Sequence, residues 1–191
     1  MARLAGTRGR EAGITLIVSL LMLVAVMLLA AAAAGTALMG EKAARAERDR
    51  HVALQAAEDA LMDAEHDLDT AAAERADLLA APAFAPGCGT GSALGLCARS
   101  APGDPPPWQT VDLAGASAVP FGHFTGAAME TGSGFAPLRR PQYIVERLPY
   151  HRPGEEAGGP PRYFYRVTAI GFGSRAATQV VLQTAYRRPE D

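Results

Sequence analysis

The chain has 191 residues, of which 49% are hydrophobic and 20% charged, with a formal net charge of −2. These values exclude a polytopic membrane protein, a two-domain enzyme and a disulfide-dense miniprotein, and no global basic field marks the chain for nucleic acid. The hydrophobicity is uneven: the 26 residues from Ile14 to Met39 carry no charge, and the chain beyond them is polar, mixed in charge and rich in Gly and Pro. About 150 residues remain outside that run, enough for one modest core.

As a helix the uncharged run spans roughly 39 Å, against a hydrocarbon core of about 30 Å. Leu16, Ile17, Val18, Leu20, Leu21, Leu23, Val24, Val26, Leu28 and Leu29 make it apolar on every face. Arg3, Arg8 and Arg10 precede it, opposed only by Glu11. That cationic excess is expected to hold the N-terminus in the cytoplasm and to place the rest of the chain across the membrane. A secretory signal peptide shares the basic start and the small residues Ala32 and Ala34. The run is long for such a signal, and helix-compatible sequence continues beyond it without Gly-Pro punctuation, so a retained anchor is the preferred reading.

No Pro or Gly occurs between Glu41 and Ala81. Leu54, Ala57, Leu61, Ala64, Leu68, Ala71 and Leu78 recur at spacings of three and four, skipping a turn at Arg75, and predict a narrow apolar stripe on an acidic helix. Packing on the same domain is the preferred reading of that stripe, ahead of a coiled-coil dimer. Residues 82–141 read as loop-rich, with short strands near Trp108–Leu113 and Gly122–Thr125. From residue 142 the period changes to two. Tyr143–Leu148, Tyr163–Ile170 and Thr178–Tyr186 are rich in aromatic and β-branched residues, the last two joined through Gly171–Arg175. Tyr163, Tyr165, Val167 and Ala169 share one face with Thr178, Val180, Leu182 and Thr184. The predicted architecture is α+β: a long N-terminal helix, membrane-spanning in its first half, packed by its second half on an antiparallel meander of three or four strands.

The chemistry-bearing residues form no catalytic or cofactor constellation. No G-x-S-x-G or phosphate-loop pattern occurs, and Gly132-Ser133-Gly134 has no His nearby in sequence. His51, His66, His123 and His151 lack metal-ligand spacing, so neither a metal nor a cofactor is expected. Glu58, Asp59, Asp63, Glu65, Asp67 and Asp69 read as a solvated helix face rather than a calcium site. Between Arg139 and Arg188 lie nine Arg and three acidic residues, with Tyr143, Tyr150, Tyr163 and Tyr165 interleaved. A single-stranded nucleic acid surface uses such a pattern, but arginines facing water or an acidic neighbour are the preferred reading. Cys88 and Cys97 are the only cysteines, with eight residues between them in a Gly-rich segment. They are expected to form a disulfide on the oxidising side of the membrane, worth about 2–3 kcal/mol.

The order of parts resembles a type IV pilin precursor: a basic leader ending in Gly13, then Ile14-Thr-Leu-Ile-Val-Ser-Leu-Leu, a membrane helix, an extended amphipathic helix and a C-terminal sheet. More narrowly, Glu47-Arg48-Asp49-Arg50-His-Val-Ala-Leu54-Gln55-Ala56-Ala57-Glu58-Asp59-Ala60-Leu61 resembles the "ERxxxxLAxQAAExAL" stretch of the PilX family of minor pilins. Tyr165-Arg166-Val167-Thr168-Ala169 with Val180-Val181-Leu182-Gln183-Thr184-Ala185-Tyr186 is similar to that family's closing hairpin. The resemblance implies a division into leader (1–13), transmembrane helix (14–40), amphipathic helix (41–81), loop-rich region (82–141) and β-meander (142–191).

It also implies cleavage by a prepilin peptidase between Gly13 and Ile14, with methylation of the new N-terminus. Three of the 18 basic and one of the 20 acidic residues would leave with the leader, for a mature net charge of −4. Most pilins carry Glu at the fifth mature position, where it pairs with a neighbour's terminal amine; this chain has Val18. That departure fits a minor pilin rather than a filament-building one. The implied role is non-enzymatic assembly through the helix residues Val18, Leu54, Ala57, Leu61, Ala64 and Leu68. The implied partners are other minor pilins, the major pilin and a large tip adhesin, with the head periplasmic, the anchor in the inner membrane and the assembled subunit at the pilus tip. The rival readings are a type II secretion tip pseudopilin and a membrane-anchored DNA- or ligand-binding receptor domain.

Overall fold

The computed structural model describes residues 12–70, 73–80, 83–150 and 162–188. The leader residues Arg3, Arg8, Arg10 and Glu11, together with Ala71, His151, Arg152, Glu155 and Glu156, lie outside them. The first helix, α1 (Ala12–Thr70), is dominated by Ala and Leu, residues that lose little on entering a helix. The chain divides into two compact units, residues 1–46 and 47–191. In the first, every side chain from Ile14 onward is exposed, the large apolar ones included. That part of α1 is long and apolar enough to cross a membrane, with a mean hydropathy of 2.9 over its most apolar window.

In the second unit α1 lies across a five-stranded sheet. The expected helix over 41–81 is two helices: α1 ends at Thr70, and α2 occupies Ala73–Ala80. A 3-10 turn at Gly91–Ala93, β1 (Leu96–Cys97), the single-turn α3 (Pro107–Thr110) and β2 (Val119–Pro120) follow. Then come β3 (Gln142–Tyr150), β4 (Arg162–Phe172) and β5 (Gln179–Tyr186). The expected meander is present as β3-β4-β5, paired antiparallel with Val145 opposite Val167 and Ala169 opposite Leu182. The sheet as a whole is mixed, because β1 pairs parallel to β3, with Leu96 opposite Val145, while β2 pairs antiparallel to it.

The expected strand at Trp108–Leu113 is instead the turn of α3 and the loop after it, since Pro107 stands at the first helical position and its fixed φ starts a helix. The expected strand at Gly122–Thr125 is a turn. Gly122 has φ +75°, and a Cβ there would meet the Ala127 carbonyl oxygen at 1.8 Å, so only glycine fits.

Two packed layers result. One sheet face presents Tyr143, Val145, Tyr165, Val167 and Ala169 to Ala60, Ala64 and Leu68 of α1, with Leu79, Leu96 and Val119 completing the cluster. The other face sets Ile144 against Cys88, Cys97 and Ala118, with Trp108, Val111 and Leu113 packed around them. Cys88 and Cys97 are joined as a disulfide. The alanines of α1 permit a very close approach: a Cβ on Gly171 would stand 2.1 Å from the Ala53 carbonyl oxygen and 2.4 Å from the Ala57 nitrogen. The Gln-Ala-Ala stretch at Gln55–Ala57 thus crosses β4 with almost no side chain between the two backbones.

Candidate functional site

The buried face of α1 in the second unit is Asp49, Ala53, Ala56, Ala57, Ala60, Asp63, Ala64, Asp67 and Leu68. Among the expected stripe residues, Ala57, Ala64 and Leu68 lie in its core, while Leu54 and Leu61 are half-buried at its edge. The acidic run is not the wholly solvated face expected of it. Glu58, Asp59 and Asp69 are exposed, but Asp63 and Asp67 are buried, as is Asp49 upstream of the run. A buried carboxylate is tolerated only where donors replace its water. Each of these three has them, and each takes them from a different segment of the head.

Asp67 holds the centre. Arg75, itself only 2% exposed, donates from Nε to Oδ1 at 2.7 Å and to Oδ2 at 2.9 Å, and from Nη2 to Oδ2 at 2.6 Å. Its Nη1 donates to the carbonyls of Ser92 at 2.7 Å and Leu94 at 3.2 Å, inside the disulfide-closed loop. The guanidinium also lies over the Phe124 ring, 3.6 Å from its centroid. Tyr143 Oη donates to Asp67 Oδ2 at 2.9 Å. Burial and the Asp67 charge push the Tyr143 hydroxyl far above the ordinary phenol range. Asp67 and Arg75 together therefore join α1, α2, the 88–97 loop, β3 and the 121–125 turn.

Asp63 accepts from the Gly122 N–H at 2.7 Å and from Thr125 Oγ1. Asp49 accepts from the Ser174 N–H at 2.7 Å, from Ser174 Oγ, and from Arg175 Nε at 3.0 Å. Burial acts to raise the Asp49 pKa, but side-chain donors from Ser174, Thr178 and Arg175 and the Ser174 backbone outweigh it and hold the carboxyl well below its ordinary value. At the far end of the helix Tyr186 Oη donates to both Asp69 oxygens at 2.6 Å. That hydrogen bond, with burial and the Asp69 charge behind it, pushes Tyr186 up to about 12.

Several arginines after residue 138 are engaged within the head. Arg166 grips the fully buried Glu146 through two contacts at 2.6 and 2.9 Å, at the floor of a polar cavity of about 270 Å³ under the 99–106 loop. Arg139 stacks on Phe172, and Arg147 lies over both Phe84 and Tyr163 while donating to the Leu79 carbonyl. Arg187 donates to Tyr150 Oη. Among the described residues no group of three His, Cys, Asp or Glu side chains is placed to hold a metal. Gly13 and Ile14 lie in the first turn of α1, and Val18 is 49% exposed one turn further on.

This arrangement fastens a folded head onto the second half of a long helix whose apolar run lies in its first half. Fold and site together define a pilin-like α+β protein with one apolar segment that fits a single-pass membrane anchor. Residues 93–188 match the family described as type IV pilus assembly protein PilX, C-terminal, and residues 12–61 match the PilX N-terminal family. The chain belongs to the PilX family and takes part in type IV pilus assembly, alongside other pilus components. No curated protein and no solved structure matches it.

Proposed function

We propose that this chain is a minor pilin that primes pilus assembly in a small complex with other minor pilins and stays at or near the tip. It joins there to the major pilin below and to a large adhesin above. The work is packing rather than catalysis. A prepilin peptidase cuts between Gly13 and Ile14 and methylates the new terminus. The anchor over 14–40 then holds the subunit in the inner membrane, head outward, until it enters the filament.

The observation that carries this reading is Val18, an apolar side chain at the fifth position after Gly13 in a PilX-family chain. A subunit with no carboxylate there offers no partner to the terminal amine of the adjacent subunit, and an unpaired amine in lipid is costly. A shaft of such subunits would repeat that cost at every step, whereas a terminal subunit meets it once or not at all. Deletion of the gene should lower the number of surface pili far more than their length, and quantitative mass spectrometry of sheared filaments should find this chain far below the major pilin. Equal abundance of the two, or a normal number of filaments without this chain, contradicts the role.

A further inference from the structure

The two edges of the sheet are finished differently. On one side β3 is covered by β1 and β2, with the disulfide loop behind them. On the other side the sheet ends at β5, and among the described residues no strand pairs with its outer edge. Strand edges are ordinarily blunted by charge, proline, a bulge or extreme shortness. Over eight residues, Gln179–Tyr186 has no charge and no proline, and its pairing with β4 runs without a bulge. Val181 on its outer face is 50% exposed. Val180, Leu182, Thr184 and Tyr186 on the face toward α1 are only half-covered.

The surroundings say what fits. Tyr186 reaches Asp69, so the flank of α1 that carries Asp69 overhangs this edge. Helical spacing puts Leu54, Glu58, Leu61 and Glu65 on that same flank. Leu54 and Leu61 are half-buried; Glu58 and Asp69 are exposed. The shelf beside β5 is thus apolar at its base and acidic along its rim, with Arg188 near Tyr186 at one end.

We propose that the outer edge of β5 receives an extended segment of another chain. That segment alternates apolar residues toward α1, is uncharged through its centre, and carries a basic residue that meets Glu58, Glu65 or Asp69. Backbone pairing supplies affinity, and the shelf supplies specificity. A second copy of this chain is the poorer occupant: antiparallel β5–β5 pairing would lay both α1 helices on one sheet face with their acidic rims opposed. That the donor is another pilus component rests on the assembly role proposed above; the edge itself does not.

The test uses the full chain in detergent with three labelled octapeptides. The probe alternates valine and threonine between terminal lysines. The second peptide has alternate amides N-methylated, and the third has glutamates in place of the lysines. The lysine peptide should bind saturably. N-methylation should weaken it at least tenfold and the glutamate ends about fivefold. Val181→Lys, at an exposed position outside the core, should weaken the lysine peptide at least tenfold while leaving protease resistance unchanged. Should that variant lose protease resistance, Gln183→Lys takes its place. Equal binding of the N-methylated peptide, equal binding by the lysine variant, or no saturable binding overturns the proposal. So does concentration-dependent dimerisation that the lysine variant abolishes, which makes a second copy the occupant. Filament counting reads assembly without the peptide, so failure of either reading is visible separately.

Discussion

The two halves of α1 invert each other. Between Ile14 and Met39 leucines, valines and methionines are exposed all round the helix, while between Asp49 and Leu68 the inward positions belong to alanine and three aspartates. Each half is legible as an adaptation to its solvent. An exposed leucine surface is stable only in hydrocarbon, where no hydrophobic force holds helices together and apolar side chains meet lipid at no cost. A buried aspartate is stable only where fixed donors replace water. One helix therefore carries a segment selected for lipid and a segment selected for a polar clamp. The clamp uses carboxylates because each accepts several donors at once and so ties several loops to one rod.

The largest disruption of this contrast comes from the centre of the clamp. Arg75→Ala leaves Asp67 charged, buried and short of its main partner, and should destabilise the head by about 3–5 kcal/mol. Thermal unfolding of the full chain in detergent would register this as a large fall in Tm and early proteolysis of the 88–97 loop. Replacing both cysteines by serine should cost about 2–3 kcal/mol, because the closed loop is short. The variant should keep the Asp67–Arg75 pair, so the two losses should be partly non-additive when combined, since Arg75 also holds that loop through Ser92 and Leu94.

The smallest expected effect is a pH dependence. Because the Asp49 carboxyl is held below its ordinary value in the folded chain, its contribution is fully present above about pH 4, the unfolded carboxyl range, and drains away as pH falls below it. Asp49→Asn should flatten the acid limb of the stability curve over that window and, above it, lower stability by an amount that does not change with pH. An unchanged acid limb in that variant would assign the dependence to other carboxylates.

Much of the head was readable from residue pattern. The period-two segments after residue 142 became β3, β4 and β5, because alternation and β-branching act locally and the hairpin joining the last two is short. The short elements before them were not readable. β1 and β2 are two residues each and exist only because β3 offers an edge, so neither has a period of its own. The buried aspartates left a trace that leucine-led reading passes over. Asp49, Ala53, Ala56, Ala60, Asp63 and Asp67 are spaced four, three, four, three and four, a regular inward row whose centre lies beside the Leu54–Leu61 row. An acidic residue on an alanine row marks a carboxylate meant to be buried, provided a donor can reach it. Nothing local discloses that Arg75 is that donor, since it belongs to a separate helix, α2.

The two halves of α1 stay one helix in the finished protein only if the apolar run survives maturation. Intact mass and N-terminal sequencing of the chain purified from its own host decide this. A mature protein beginning at Ile14 with a methylated terminus, retaining Val18 and the whole apolar run, is the predicted result. A protein beginning near Gly35, as signal peptidase cleavage would leave it, contradicts both the anchor and the assembly role.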